Sequence, residues 1–133
     1  MPTLNFSDWL KAWAQEISAM QEHTKTNLPT GIEEIPADIN TTTKHCANAG
    51  ILLAECEKHL TQCRAQETLH VKSDPKFADF SAPERAVEVA SRISHIAMTR
   101  DILKVTRRAL EERHYCLLGQ RRYEETSMRM LPR

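Results

Sequence analysis

The chain has 133 residues and a formal net charge of zero, with 18 basic and 18 acidic side chains. That length fits one domain, and aromatic residues at 5% are too few for an ordinary β-sandwich or barrel. Apolar residues at 41% support a packed core, and no apolar run approaches the roughly 20 residues that span a bilayer. We therefore predict a single all-α domain over residues 1–133.

The N-terminal sequence has no basic stretch followed by an apolar run, so we expect no secretory signal. We accordingly expect a cytoplasmic protein with no membrane partner, in the host cytoplasm if the gene is phage-borne. In that compartment the cysteines, at positions 46, 56, 63 and 116, stay reduced.

The first predicted helix covers residues 7–26. Its apolar side chains recur at steps of three or four, as one face of a helix requires; they are Phe6, Trp9, Leu10, Trp13, Ile17 and Met20. The two tryptophans are expected to pack on the rest of the domain or to contact a partner. A connector with Pro29 and Pro36 follows, because proline disfavours helix in the residues before it.

The second predicted helix covers residues 37–71. Its seam has the alternating three- and four-residue steps of a heptad pattern: Ile39, Thr42, Cys46, Ala49, Leu53, Cys56, Leu60 and Cys63. Residues 72–82 form a proline-containing loop. At its end Ser81 and Glu84 have the spacing of a capping box, which marks the start of the next helix.

The third predicted helix covers residues 83–127. Apolar residues recur every seven positions, at Val89, Ile96, Leu103, Leu110 and Leu117, and a second set widens the stripe, at Met98, Ile102, Val105, Ala109 and Cys116. Helices of about 35 and 45 residues would be roughly 50 and 65 Å long. We therefore predict a long antiparallel, coiled-coil-like hairpin with a short N-terminal helix.

One short helix cannot cover the wide apolar faces of such a hairpin, so a homo-oligomer is expected. The predicted protein-interface residues are Trp9, Trp13, Leu53, Leu60, Ile96, Leu103, Leu110 and Leu117.

Charge is distributed unevenly along the chain, with a net charge of −4 in residues 1–40 and +4 in residues 83–133. Basic residues of the third helix recur mostly at steps of three, four and seven: Arg100, Lys104, Arg107, Arg108, His114, Arg121 and Arg122. Such a row can follow a phosphate backbone, and Tyr115 and Tyr123 can stack on unpaired bases. The pattern predicts binding of single-stranded DNA or RNA; the alternative is an ordinary solvated helix surface.

A zinc site is an alternative interpretation of Cys56, His59 and Cys63, which share roughly one helix face. A structural site needs a fourth ligand, for which His70, Cys46 and Cys116 are candidates. Two of the cysteines lie on the apolar seam, however, where free cysteine is common. The main expectation is therefore a reduced core with no metal and no cofactor.

Enzymatic activity is not expected, because no Gly-x-Ser-x-Gly or Gly-rich phosphate loop is present. One weak pattern remains. Arg108 and His114 have the spacing of the Arg-x(4–6)-His motif of HEPN-type ribonucleases, although Ala109 replaces the polar residue that usually follows the arginine.

The arrangement from Ile35-Pro36 onward resembles the phage recombination-mediator proteins of the UvsY type. A long helix extends to residue 70, a proline-containing loop follows, and a second long helix ends in residues 109–115 and 120–124, which are basic and aromatic. The resemblance implies an oligomeric, non-enzymatic protein that binds single-stranded DNA and helps to load a recombinase.

The sequence therefore leaves two candidate functions. The first is a non-enzymatic oligomer that binds single-stranded nucleic acid through the basic C-terminal helix, as a phage-type recombination mediator or accessory factor. The second is a protein-interaction or assembly module without nucleic-acid binding, such as a phage or mobile-element accessory protein, an inhibitor or an adaptor.

Overall fold

The computed structural model describes residues 4–130, which contain no β-strand. The prediction of an all-α protein is thus confirmed. The helices are α1 (Phe6–Lys25), α2 (Glu34–Ser73), α3 (Ala82–Arg92) and α4 (Ser94–Arg129), and a short 3-10 turn covers Pro75–Phe77 between α2 and α3.

Side chains at the predicted helix starts satisfy free backbone groups. The Asn5 side chain accepts a 2.8 Å hydrogen bond from the Asp8 amide at the start of α1. Ser81 and Glu84 form both hydrogen bonds of the capping box that starts α3. Pro36 lies inside the first turn of α2 rather than before it. Because the first amides of a helix lack intrahelical acceptors, a proline there costs little, which is why α2 begins earlier than predicted.

The predicted single helix over residues 83–127 is wrong, because Ile93 separates α3 from α4. Its backbone angles (φ −104°, ψ 7°) lie outside the helical range, and the Ser94 hydroxyl donates to the Ser91 carbonyl beside it at 2.9 Å. A side chain that inserts into the backbone hydrogen-bond ladder is a common cause of a sharp helix kink. The Ile93 side chain is buried.

The contacts of α2 establish the directions of its neighbours. From the end of α2 toward its start, Cys56 contacts the Ile96 carbonyl of α4 and Asp38 contacts Arg113. Because the residue numbers of α2 decrease along these contacts while those of α4 increase, the two helices run in opposite directions. Helix α1 also runs opposite to α2, because Trp9 bonds Glu55 whereas His23, further along α1, bonds Thr42.

The core lies between these helices within the single chain. Six of the eight residues predicted to form a protein interface are buried in it, namely Trp9, Leu60, Ile96, Leu103, Leu110 and Leu117. This part of the prediction is wrong, because α1 and α2 already cover the seven-residue stripe of α4. Only Trp13 and Leu53 of the predicted set keep a substantial exposed surface.

None of the helices among residues 4–130 combines the length and the apolar character needed to cross a membrane.

Candidate nucleic-acid interface

The basic residues predicted to bind nucleic acid all lie on α4, which continues without interruption for 36 residues. Its core-facing side carries Leu103, Leu110 and Leu117, which are fully buried. With about 100° between successive residues, Lys104 and Arg108 lie on the side turned away from this stripe. Both are exposed.

Three of the basic residues predicted to bind nucleic acid form ion pairs with carboxylates of the same helix. Arg100 contacts Asp101 at 3.1 Å, Arg107 contacts Glu111 at 3.1 Å, and Arg121 contacts Glu125 at 4.0 Å. Exposed pairs of this kind contribute about 0–1 kcal/mol, yet each pair cancels its local charge. These arginines therefore add little to the positive potential that attracts a phosphate chain.

Lys104, Arg108 and Arg122 have no ion-pair partner within the part of the chain that the structure describes. Arg108, Tyr115 and Arg122 follow one another at seven-residue steps, so they form a line along α4 with about 10.5 Å between successive members. Tyr115 is 79% exposed. A bare aromatic ring between two free guanidinium groups offers one stacking platform and two phosphate contacts.

The structure places the other two predicted residues away from this line. The half-buried His114 turns toward the core, where its Nδ1 is buried without a hydrogen-bond partner among residues 4–130. Tyr123 is exposed but lies about 80° around the helix from Tyr115. The nine predicted binding residues thus do not form one continuous surface.

The structure does not bring Cys56, His59 and Cys63 together as metal ligands, since no group of three potential ligands occurs among residues 4–130. The Cys56 thiol is buried and contacts the Ile96 carbonyl at 3.6 Å, and burial raises its pKa to about 11. The buried His59 ring packs against Phe6 and Trp9 at 5.8 and 5.5 Å between ring centroids. Both residues serve the apolar core.

The HEPN-like pair is also separated. Six residues turn an α-helix by about 600°, so Arg108 and His114 point about 120° apart around α4. Arg108 faces solvent and His114 is half-buried.

Pattern analysis missed a buried polar cluster formed by α1, α2 and α4. Arg113 makes a two-pronged ion pair with Asp38, at 3.0 and 2.6 Å, and donates to the carbonyls of Thr26 and Asn27 at 2.7 and 3.3 Å. His23 contacts Asp38 at 3.2 Å. The signal in the sequence was the position of Arg113, which follows Leu110 by three residues and precedes Leu117 by four. That spacing places an arginine on the core-facing side of α4.

The environment of this cluster shifts two pKa values. The Arg113 hydrogen bond holds the pKa of the Asp38 carboxyl below its usual 3.8. Burial, together with the Arg113 charge, lowers the pKa of the His23 imidazole below its usual 6.5. The cluster ties three helices and the α1–α2 connector together, and its geometry indicates a structural role.

Comparison of the chain with family models, curated proteins and solved structures gave no match.

Proposed function

We propose that this protein binds single-stranded nucleic acid, without bond chemistry, through the exposed line Arg108–Tyr115–Arg122 and the neighbouring Lys104. This is the role that the UvsY-type resemblance implies, with α2 and α4 as the two long helices of the hairpin. The observation that carries the proposal is the 79% exposed Tyr115 ring between two arginines that form no ion pair among residues 4–130.

The mechanism combines charge neutralisation with stacking. Two arginines separated by about 21 Å along α4 contact phosphates on either side of a base that lies on Tyr115. Each neutralised phosphate of a single strand contributes about −0.7 to the slope of log affinity against log salt. Three free cations therefore give a slope of about −2. No base edge is read, so sequence preference is expected to be weak.

Fluorescence polarisation of labelled oligo(dT) at several salt concentrations tests the proposal. Affinity should fall with salt along the slope of about −2, and Arg108→Gln/Arg122→Gln should reduce both affinity and slope. Tyr115→Ala removes the stacking platform, a loss of about 1–3 kcal/mol in binding.

Tyr123→Ala is the matched control, because it changes the same residue type on the same helix but off the line. Its affinity should stay close to that of the wild type. Absent binding, salt-independent binding, or equal losses for the two tyrosine variants would contradict the proposal.

A second candidate function, protein assembly, is favoured by an apolar strip on another side of α4. We propose that a second copy of the chain covers this strip, which consists of Met98, Ile102, Val105 and Ala109. The first three are 64%, 41% and 69% exposed. Their spacing of four, three and four residues is that of a coiled-coil seam.

Flanking charges favour antiparallel pairing of two copies. Asp101 and Arg108 lie on the same side of the strip, seven residues apart. In an antiparallel pair, positions on the same side face each other. With Ile102 opposite Val105 of the second copy, each Asp101 lies close to the other copy's Arg108.

Sedimentation velocity tests this assembly. The wild-type protein should sediment as a dimer or larger particle at micromolar concentration, and Ile102→Asp should yield the monomer. Gln62→Asp on the exposed face of α2 is the charge-matched control and should leave the mass unchanged. A monomeric wild type, or an Ile102→Asp variant with unchanged mass, would contradict self-association through the strip.

A further inference from the structure

A groove between the C-terminal half of α2 and α3 is used by neither proposed function. Its volume is about 470 Å³, within the range of about 300–1,000 Å³ that is usual for small-molecule sites. Its floor is formed by Val71, Val89 and Ile93, which are buried. Ala86 and Ala90 lie along one wall and are exposed, and their short side chains leave the space open.

The rim of the groove is basic. Arg64 and Lys72 lie two helical turns apart on the α2 wall, and both are exposed. Arg85 stands on the α3 side, where its Nε and Nη2 donate to the carbonyls of Phe77 and Ala78 at 3.3 and 3.2 Å. Arg64, Lys72 and Arg85 have no ion-pair partner among residues 4–130. The rim therefore keeps three positive charges.

Two acidic groups near the groove share one arginine, which offsets half of their charge. Glu67 of α2 and Glu88 of α3 both contact Arg92, at 3.0 and 3.1 Å. No carboxylate lines the groove among the described residues. An apolar floor beneath an uncompensated basic rim matches a molecule with an apolar chain and a negatively charged head.

The size of the groove favours one alkyl chain over a peptide helix. Helix α3 is 11 residues long, which corresponds to about 16 Å. A docked helix is about 10–12 Å across, so only part of its width could lie within a groove of about 470 Å³. A single alkyl chain fits a narrow cleft walled by alanines.

We infer that this groove binds a single-chain alkyl carboxylate, with its chain over Val71, Val89 and Ile93 and its carboxylate at Arg64 and Lys72. The chain is held by burial of apolar surface, and the head group by charge-assisted hydrogen bonds from the rim.

Calorimetric titration of the full chain with sodium dodecanoate, kept below its micelle concentration, tests the inference. One molecule should bind per chain. Decanoate should bind about three- to tenfold more weakly, because each methylene contributes up to about fourfold in affinity. Dodecanol, which lacks the charge, should bind at least tenfold more weakly. Absent dodecanoate binding, or equal binding of dodecanol, would overturn the proposal.

Two variants locate the ligand. Ala86→Leu fills the groove and should weaken dodecanoate binding at least tenfold, whereas Ala54→Leu, at an exposed position of α2 outside the groove, should not change it. Arg64→Gln/Lys72→Gln removes two rim charges and should also weaken binding about tenfold.

Arg108→Gln/Arg122→Gln is the charge-matched control on α4 and should bind dodecanoate as the wild type does. Unchanged binding by either groove variant would overturn the proposal. The nucleic-acid proposal is tested separately by the same α4 variant, so the two can fail independently.

Discussion

Arg113 and Asp38 are the residues whose loss should most damage the fold. The Arg113 guanidinium is 6% exposed and the Asp38 carboxylate 14% exposed, so Arg113→Met leaves a buried charge without its partner. Such a loss costs about 3–5 kcal/mol. Urea denaturation should show this decrease in the free energy of unfolding.

Two further variants make this measurement specific to the buried pair. Arg113→Met/Asp38→Leu removes both charges and should recover much of the lost stability. Arg107→Met breaks an exposed pair with Glu111 and should cost under about 1 kcal/mol. An Arg113→Met loss as small as that of Arg107→Met would contradict the structural role.

The same cluster predicts a response to acid. Because burial lowers the pKa of His23 below 6.5 in the folded chain, the unfolded chain takes up that proton more readily. Stability should therefore be greatest above pH 6.5 and decrease as the pH falls toward the lower folded pKa. Asp38, whose folded pKa lies below 3.8, adds a further loss at pH values below 3.8.

Urea denaturation across this pH range measures the effect. His23→Gln should remove the first loss, while His70→Gln, at an exposed position on α2, should preserve it. Identical pH profiles for the wild type and His23→Gln would contradict the assignment.

Among the helices, α3 depends most on its N-terminal cap, since it has only 11 residues and one buried side chain, Val89. Ser81→Ala removes the capping interaction and should cost about 0.5–2 kcal/mol. Hydrogen exchange should accelerate in α3 first. Thr61→Ala, at an exposed position inside α2, is the control and should not destabilise the protein. Unchanged exchange in α3 would contradict this dependence.

The capping box and the all-α class were predictable because local spacing and hydrogen-bonding chemistry determine them. The break at Ile93 was not, since the seven-residue repeat passes through it and no glycine or proline marks it. For the candidate interface, the sequence predicted the positions of the basic residues on α4 but not their ion pairs. Periodicity placed Lys104 and Arg108 on one face, but it did not show that Arg107 would pair with Glu111.

At the scale of the whole molecule, burial within one chain replaces most of the contacts that we had assigned to an oligomer. The seven-residue stripe of α4 is covered by α1 and α2, as the complete burial of Leu103 and Leu110 shows. Three surfaces of different chemistry remain: the cationic line around Tyr115, the apolar strip around Ile102, and the basic-rimmed groove. The groove lies apart from the other two surfaces, so its variants should leave them intact. Arg108 belongs to the cationic line and also flanks the apolar strip, so a change at Arg108 should affect both of these surfaces.

The far end of α4 has a further consequence. Its last hydrogen bond to another part of the described chain is from Gln120 to the Pro29 carbonyl, at 2.5 Å, and no residue from position 118 to 130 is buried. Brief trypsin digestion should therefore cut after Arg121 or Arg122 and release a short fragment, while the remainder keeps its melting temperature. Cleavage after Arg121 removes Arg122, one end of the cationic line, and should weaken oligonucleotide binding, whereas cleavage after Arg122 keeps that residue and should not.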